Sequence, residues 1–192
     1  MKRYSIGFTR PALLKETTVI AQLYKEFRDW AKIKTSVNKE NLLQTRTKRS
    51  SEIIFAEIQK RLSLLSTEQI ELIAEDFPQD VRQLVWVALC KQYAFIGDFT
   101  LEVLTPAFMS GRQDINHDDY SYFFSSKADW HPELENVSDK TRSNARQALF
   151  QMMRQCELIT EENRLIPQFL SSSIQQSSTE ADLAYIPGAI RL

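Results

Sequence analysis

The sequence predicts a mainly α fold: a compact helical bundle whose C-terminal part is helix-turn-helix or winged-helix-like and ends in a short β-hairpin. Three observations predict it. Apolar residues recur three and four positions apart over most of the 192 residues, the period of a helix with one buried face. Cap and proline signals punctuate those stretches. Two short β-prone runs around a polar turn follow directly on the last long helix.

Taken in order, Pro11 opens a first helix, with Leu14, Ile20, Leu23, Tyr24, Phe27 and Trp30 on roughly one face; proline is tolerated in a first turn. Lys39–Gln44 reads as a second, short helix with Asn38 as its cap. The polar, basic run Thr45–Ser51 follows as an interhelical loop. Ile54, Ile58, Leu62 and Leu65 then form the next apolar face, with Glu52 in the first turn, where a carboxylate suits the helix dipole. Ser66 and Gln69 stand at capping-box spacing before Ile70, Leu72 and Ile73, and Pro78 stops that helix. A longer helix is expected over 79–96, closed by Gly97, and another from Asp98 to Phe108, broken at Ser110-Gly111-Arg112. Asp118-Asp119 starts a helix carrying Tyr120, Tyr122, Phe123 and Phe124, and Trp130–Leu134 reads as a loop through Pro132.

Ser138 initiates the last long helix, with Ala145, Leu149, Met152 and Met153 as its buried stripe and Lys140, Arg142, Asn144, Arg146 and Arg154 exposed. Residues 156–160 and 164–167 then flank Glu161-Glu162-Asn163 as a hairpin, Asn163 tolerating the left-handed region. A long helix followed at once by a hairpin is the order found at the end of a winged helix-turn-helix, where the helix enters the major groove. The Ser- and Gln-rich tail from Ser171 to Ser178 reads as loose. The expected domains are an N-terminal helical one at 1–128, basic in its first half, and a C-terminal winged-helix-like one at 129–192.

Composition narrows the function. Four glycines and six prolines exclude a collagen, a low-complexity linker and a Gly-rich phosphate cradle. Eleven Phe, six Tyr and three Trp exclude a disordered chain. Cys90 and Cys156 sit in apolar helical patterns and read as buried thiols in a reducing cytosol. They build no zinc motif with the two histidines. No cofactor and no metal is expected. No stretch approaches the roughly 20 apolar residues of a spanning helix, so no membrane partner and a cytoplasmic location are expected.

The net charge of −1 hides an asymmetry. Residues 1–65 hold 14 Lys and Arg against 6 Asp and Glu, a net of +8; residues 66–137 hold 4 against 13, a net of −9; residues 138–192 hold 6 of each. A segment at +8 attracts polyanions, of which nucleic acid is the commonest in the cytosol. The alternative is that the acidic middle neutralises the basic start within one fold.

Two sets of residues are candidates for DNA contact. Arg46, Lys48 and Arg49, interleaved with Thr45, Thr47, Ser50 and Ser51, suit phosphate oxygens; the alternative is a solvated loop. Lys140, Arg142, Asn144 and Arg146 suit a groove, since arginine forks to guanine and asparagine pairs with adenine; the alternative is a solvated helix face. His117-Asp118-Asp119 reads as a helix cap before a metal site, and His131 as structural. The aromatic set at 120–124 reads as core before a base-stacking platform. Two histidines and no nucleophile motif build no catalytic triad, so no catalytic residue is assigned and no enzyme is expected.

Several blocks together carry a family resemblance: Ile6-Gly7-Phe8-Thr9, Leu23-Tyr24, Asp29-Trp30, Asn41–Thr47, Cys90–Tyr93, Asp98-Phe99, Glu102–Leu104, Asp119-Tyr120, Phe123-Phe124, Lys127–Leu134 and Arg146–Phe150. In this order, from Tyr4 to Leu170, the chain resembles the BrxA family of BREX bacteriophage-exclusion systems. That family was formerly a domain of unknown function, sometimes labelled an inner-membrane protein, a label that no segment here supports. The resemblance implies a mostly helical protein with winged-helix character and likeness to an antitermination helical fold. It also implies work beside a methyltransferase, a phosphatase-like protein and an ATPase. It brings no catalytic motif. The expected function is non-enzymatic double-stranded DNA binding in phage defence, mainly through phosphates. The alternatives are an adaptor whose acidic middle docks a basic partner, and an RNA-binding module.

Overall fold

The computed structural model describes residues 4–191. The chain opens as an extended strap. Tyr4, Ile6 and Phe8 are buried and alternate with exposed Ser5, Gly7 and Thr9, the period of an extended segment with one covered face. Tyr4 stacks flat on His131, ring centroids 3.7 Å apart, and donates from its hydroxyl to Asp98.

Four helices build the first layer: α1 (Leu14–Phe27), α2 (Trp30–Glu40), α3 (Lys48–Leu62) and α4 (Thr67–Ala74). The periodicity of a single first helix reaching Trp30 is interrupted. Arg28 takes a left-handed conformation, and Asp29 accepts from the backbone N–H groups of Ala31 and Lys32. Local cap chemistry overrides the continuous apolar stripe. Consequently α2 covers 30–40, not 39–44, and Asn38 lies inside it rather than capping a helix. Thr47, accepting from Ser50 N–H, caps α3. That start puts Glu52 past the first turn, which holds no acid. The capping box of Ser66 and Gln69 on α4 is present in both directions.

The core centres on α5 (Pro78–Gln92), where every residue from Gln83 to Cys90 is buried. Tyr93 is extended and separates α5 from α6 (Ala94–Phe99), which a π-helical turn at Thr100–Leu104 joins to α7 (Thr105–Met109). Gly97 therefore does not close a helix. It sits inside α6, where an added Cβ would lie 3.2 Å from the Tyr185 ring and 3.0 Å from the Cys90 carbonyl oxygen. No single helix among the described residues is long and apolar enough to cross a membrane; the most apolar pair, Pro78–Gln92 with Ala94–Met109, is bent by 117°.

Then come α8 (His117–Ala128), α9 (Pro132–Glu135) and α10 (Asp139–Gln155). The Trp130–Leu134 stretch is thus partly helical, because Pro132 occupies an N-terminal helical position that needs no N–H. Asn116 and Asp119 close a capping box on α8, so Asn116 is the cap and Asp119 its reciprocal partner. Phe95, Phe99, Tyr120, Phe123 and Phe124 cluster edge-on and tilted between α6 and α8.

After α10, Thr160 N–H donates to Arg164 and Ile166 N–H to Leu158, turning at Asn163 with φ 65°. A third segment joins antiparallel to the returning arm: Ile115 N–H donates to Asn163, and Leu165 N–H to Gln113. The tail is not loose. Residues 168–170 (β1) pair in parallel with 189–191 (β2), and between them lie α11 (Ser172–Ser177), capped by Ser171, and α12 (Glu180–Leu183), with a capping box on Thr179. The Ser-rich composition supplies helix caps here rather than disorder. One apolar cluster includes residues from Tyr4 to Ile186.

Candidate nucleic-acid interface

Arg46, Lys48 and Arg49 are all exposed. Arg46 lies in the loop before α3, whereas Lys48 and Arg49 form the first turn of that helix. The positive end of a helix favours anions, and cations there lose a few tenths of a kcal/mol. No carboxylate among the described residues pairs with any of the three. Thr45, Thr47 and Ser50 surround them with hydroxyls that bond one another and the turn backbone.

On α10 the four candidates divide. Lys140 and Asn144 are exposed and lie on one stripe with exposed Gln147 and Gln151. Arg142 and Arg146 are half-buried on the flank that meets α8. Arg142 lies over the Phe124 ring at 4.4 Å and donates to the Ser121 carbonyl. It is a packing residue, which a helical wheel drawn from the sequence cannot show, because the wheel carries no α8. Gln147 and Gln151 were legible by spacing from Asn144 but carry no charge to attract notice.

Arg146 makes no ion pair, and its buried Nε has no hydrogen-bond partner among the described residues. Arg154, two turns on, donates to Asn163 Oδ1 and stands 3.7 Å from Glu161. His117 sets its ring edge-on to Phe150, 4.8 Å between centroids. Burial, with the Arg146 and Arg154 guanidinium groups, holds His117 below the ordinary histidine range, against a smaller pull from Asp118. His131 stacks on Tyr4 and is structural. Of the aromatic set, Tyr120, Phe123 and Phe124 are core, whereas Tyr122 is 78% exposed.

The hydrogen bonds and ion pairs of the described residues do not join the 46–49 set to the α10 set. Elsewhere cations are spoken for. All four of the 66–137 segment sit on carboxylates: Arg82 on Glu157, Lys91 on Asp182, Arg112 on Asp119, and Lys127 on Asp98 and Glu102. On α2 and α3, by contrast, Lys32, Lys34, Lys39 and Lys60 are exposed without such partners. The charge asymmetry of the sequence is thus deepened by the fold. Cys90 and Cys156 are buried and unbridged.

Two comparisons with known proteins point to one family, and a third shows the fold. A family model described as BrxA matches residues 2–180. The protein named "BREX protein BrxA" from Escherichia coli O9:H4 (strain HS) is 27% identical over 131 residues, 68% of this chain. The match spans 62% of that relative's length. The crystal structure of an uncharacterized protein from Magnetospirillum magneticum has the same fold, with a TM-score of 0.80 at 21% identity over 97% of this chain and 99% of that one.

Proposed function

The chain belongs to the BrxA family, and on that premise we propose that it is a non-enzymatic, cytoplasmic accessory protein of a BREX phage-defence system that binds double-stranded DNA mainly through its phosphates. The observation that carries this reading is the first turn of α3. Lys48 and Arg49 oppose the helix dipole, are exposed, and pair with no carboxylate among the described residues, so their positive charge is available to a polyanion. Arg46 stands just before them.

The α8–α10 region supports a winged-helix reading. An extended segment at 113–115, α8, α10 and the turn at 158–166 follow in the order of a helix-turn-helix with a wing, and the wing's returning arm bonds to 113–115. In that arrangement α10 is the helix for the major groove, and Lys140, Asn144, Gln147 and Gln151 face outward on it. Glu161 and Glu162 at the wing tip are exposed and repel phosphate. Grip therefore comes from the helices and from the 46–49 turn.

The test is an anisotropy titration with a duplex at two salt concentrations. Affinity falls steeply with salt, by nearly one power of concentration per phosphate neutralised. Binding that is absent at low salt, or flat with salt, overturns the reading. Competition between duplex DNA and structured RNA decides the nucleic acid.

One observation favours an adaptor role as a second reading. Val103, Pro106, Ala107, Tyr122 and Phe123 line a cleft between the π turn, α7 and α8. Its lining carries Glu102 and Asp119 against Arg112, one negative charge in surplus. A basic segment of the methyltransferase, phosphatase-like protein or ATPase suits it. Co-purification that survives nuclease treatment supports this reading; loss on nuclease treatment refutes it.

A further inference from the structure

Residues 146, 150 and 154 of α10 follow one another at a spacing of four, so their side chains form a single stripe. Phe150 at its centre is buried, and the ring carries His117 edge-on at 4.8 Å and the Arg154 guanidinium at 5.9 Å. Arg146 is one helical turn along from the same ring. His117 and Arg154 therefore meet one aromatic ring from two helices, and Arg146 follows on the same stripe. The charged groups acting on His117 are Arg146 and Arg154 from α10 and Asp118 from its own helix. Arg154 already has Asn163 and Glu161. Asp119 already has Arg112, through two bonds of 2.8 and 2.9 Å. Arg146 makes no ion pair among the described residues, and its buried Nε has no hydrogen-bond partner there.

A buried guanidinium N–H without an acceptor is costly, and like charges gathered around it add to the cost. An anion at the guanidinium offsets the second of these. Arginine offers a planar fork that fits two phosphate oxygens, and an imidazolium beside it offers a third donor. The position is right for a duplex: Arg146 is next to Gln147, about 100° round the helix from the outward stripe, where the strand bordering a groove would pass.

We propose that Arg146 and His117 form a phosphate-binding site for the nucleic-acid backbone, with His117 taking up a proton when the phosphate binds. The inference rests on the DNA-binding reading above and names one contact within it. In the free protein the two arginines disfavour the imidazolium. A phosphodiester placed between them reverses that, so the histidine of the complex holds its proton to higher pH than that of the free protein. The gain in affinity is complete below the free value, shrinks as pH rises, and is gone above the bound value. Between the two values the slope approaches one decade of Kd per pH unit for one linked proton.

The experiment is a histidine-ring NMR titration of the full chain, alone and saturated with a duplex. It is paired with duplex Kd values at pH 5.5, 6.5 and 7.5 at fixed ionic strength, for the wild type, H117Q and R146Q. The expected result is an upward shift of the His117 titration on adding DNA, several-fold tighter binding at pH 5.5 than at 7.5, and loss of that pH dependence in H117Q. His131, stacked on Tyr4, serves as the internal control and does not shift. Duplex binding with an unmoved His117 titration overturns this site and leaves the DNA reading intact. No duplex binding at any pH overturns both. The wild-type NMR arm decides the matter even if R146Q fails to fold.

Discussion

The Arg142 guanidinium lies over the Phe124 ring, 4.4 Å from its centroid, and its Nη2 donates to the Ser121 carbonyl at 3.1 Å. A residue of the type that grips DNA is here used to fasten α10 to α8. Arginine suits this because its weakly hydrated plane stacks on an aromatic face while still donating at its edge. Arg142→Ala is expected to cost about 1 kcal/mol through the lost cation–π contact. That lowers Tm by about 2–4 °C for a chain of this size. Lysine at 142 recovers less than half, because it has no plane to stack. Calorimetry of the two variants checks this; an unchanged Tm in Arg142→Ala refutes the packing role.

The 46–49 turn is the opposite case. Joint replacement of Arg46, Lys48 and Arg49 by alanine removes nothing that packs and relieves the unfavourable charge at the start of α3. Stability is expected to stay within about 0.5 kcal/mol of the parent. The slope of log affinity for duplex DNA against log salt is expected to fall by about 2–3, three phosphates at nearly one each. An unchanged slope shows that these cations touch no phosphate.

Glu57 is a hub whose Oε1 accepts from Arg61 Nε and NH2, Gln92 Nε2 and the Tyr93 hydroxyl. Arg61 is 1% exposed and also donates to the Pro11 and Ala12 carbonyls, tying α3 to the N-terminal strap. Glu57→Gln strands a buried guanidinium and is expected to cost about 3 kcal/mol. The double variant Glu57→Leu, Arg61→Met is expected to be less damaging than the sum of its singles, since no charge is left unpaired. Urea unfolding of the three variants measures this, and simple additivity contradicts it.

Asp182 gives a pH signature. Burial pushes its carboxyl up, but the Lys91 ammonium at 2.8 Å and the Gln69 amide hold it net below the ordinary aspartate range. A folded value below the unfolded one stabilises the protein above the unfolded value and is lost as pH falls through the folded one. Asp182→Asn is therefore expected to lower Tm at pH 7 and to lose that effect as pH falls through the folded value. An effect independent of pH would assign the residue's role to its capping of α12 alone.

The helical class, the Ser66–Gln69 capping box, the start of α10 at Ser138 and the turn at Asn163 were all legible, because each depends on residues within a few positions of one another. So was the exposed basic run at 46–49. The breaks at Arg28 and Tyr93 were not. Each sits within a stripe whose apolar period continues: the first break is made by left-handed Arg28 and the Asp29 cap, the second by extended Tyr93, whose hydroxyl is held by distant Glu57. The tail was misjudged for a related reason: serine reads as disorder until a packed helix uses it as a cap.

Taken alone, the order of residues determined a helical chain of the BrxA family with its positive charge in front and its negative charge in the middle. Period, caps and charge are properties of neighbouring residues. The tertiary structure decided which cations are free to act. It paired all four in the middle segment with carboxylates, turned Arg142 onto Phe124, left Arg46, Lys48 and Arg49 exposed, and set His117 of one helix against Phe150 of another. The physical reason is range. A side chain's partners across helices are set by packing between segments distant in sequence, and no local pattern encodes them.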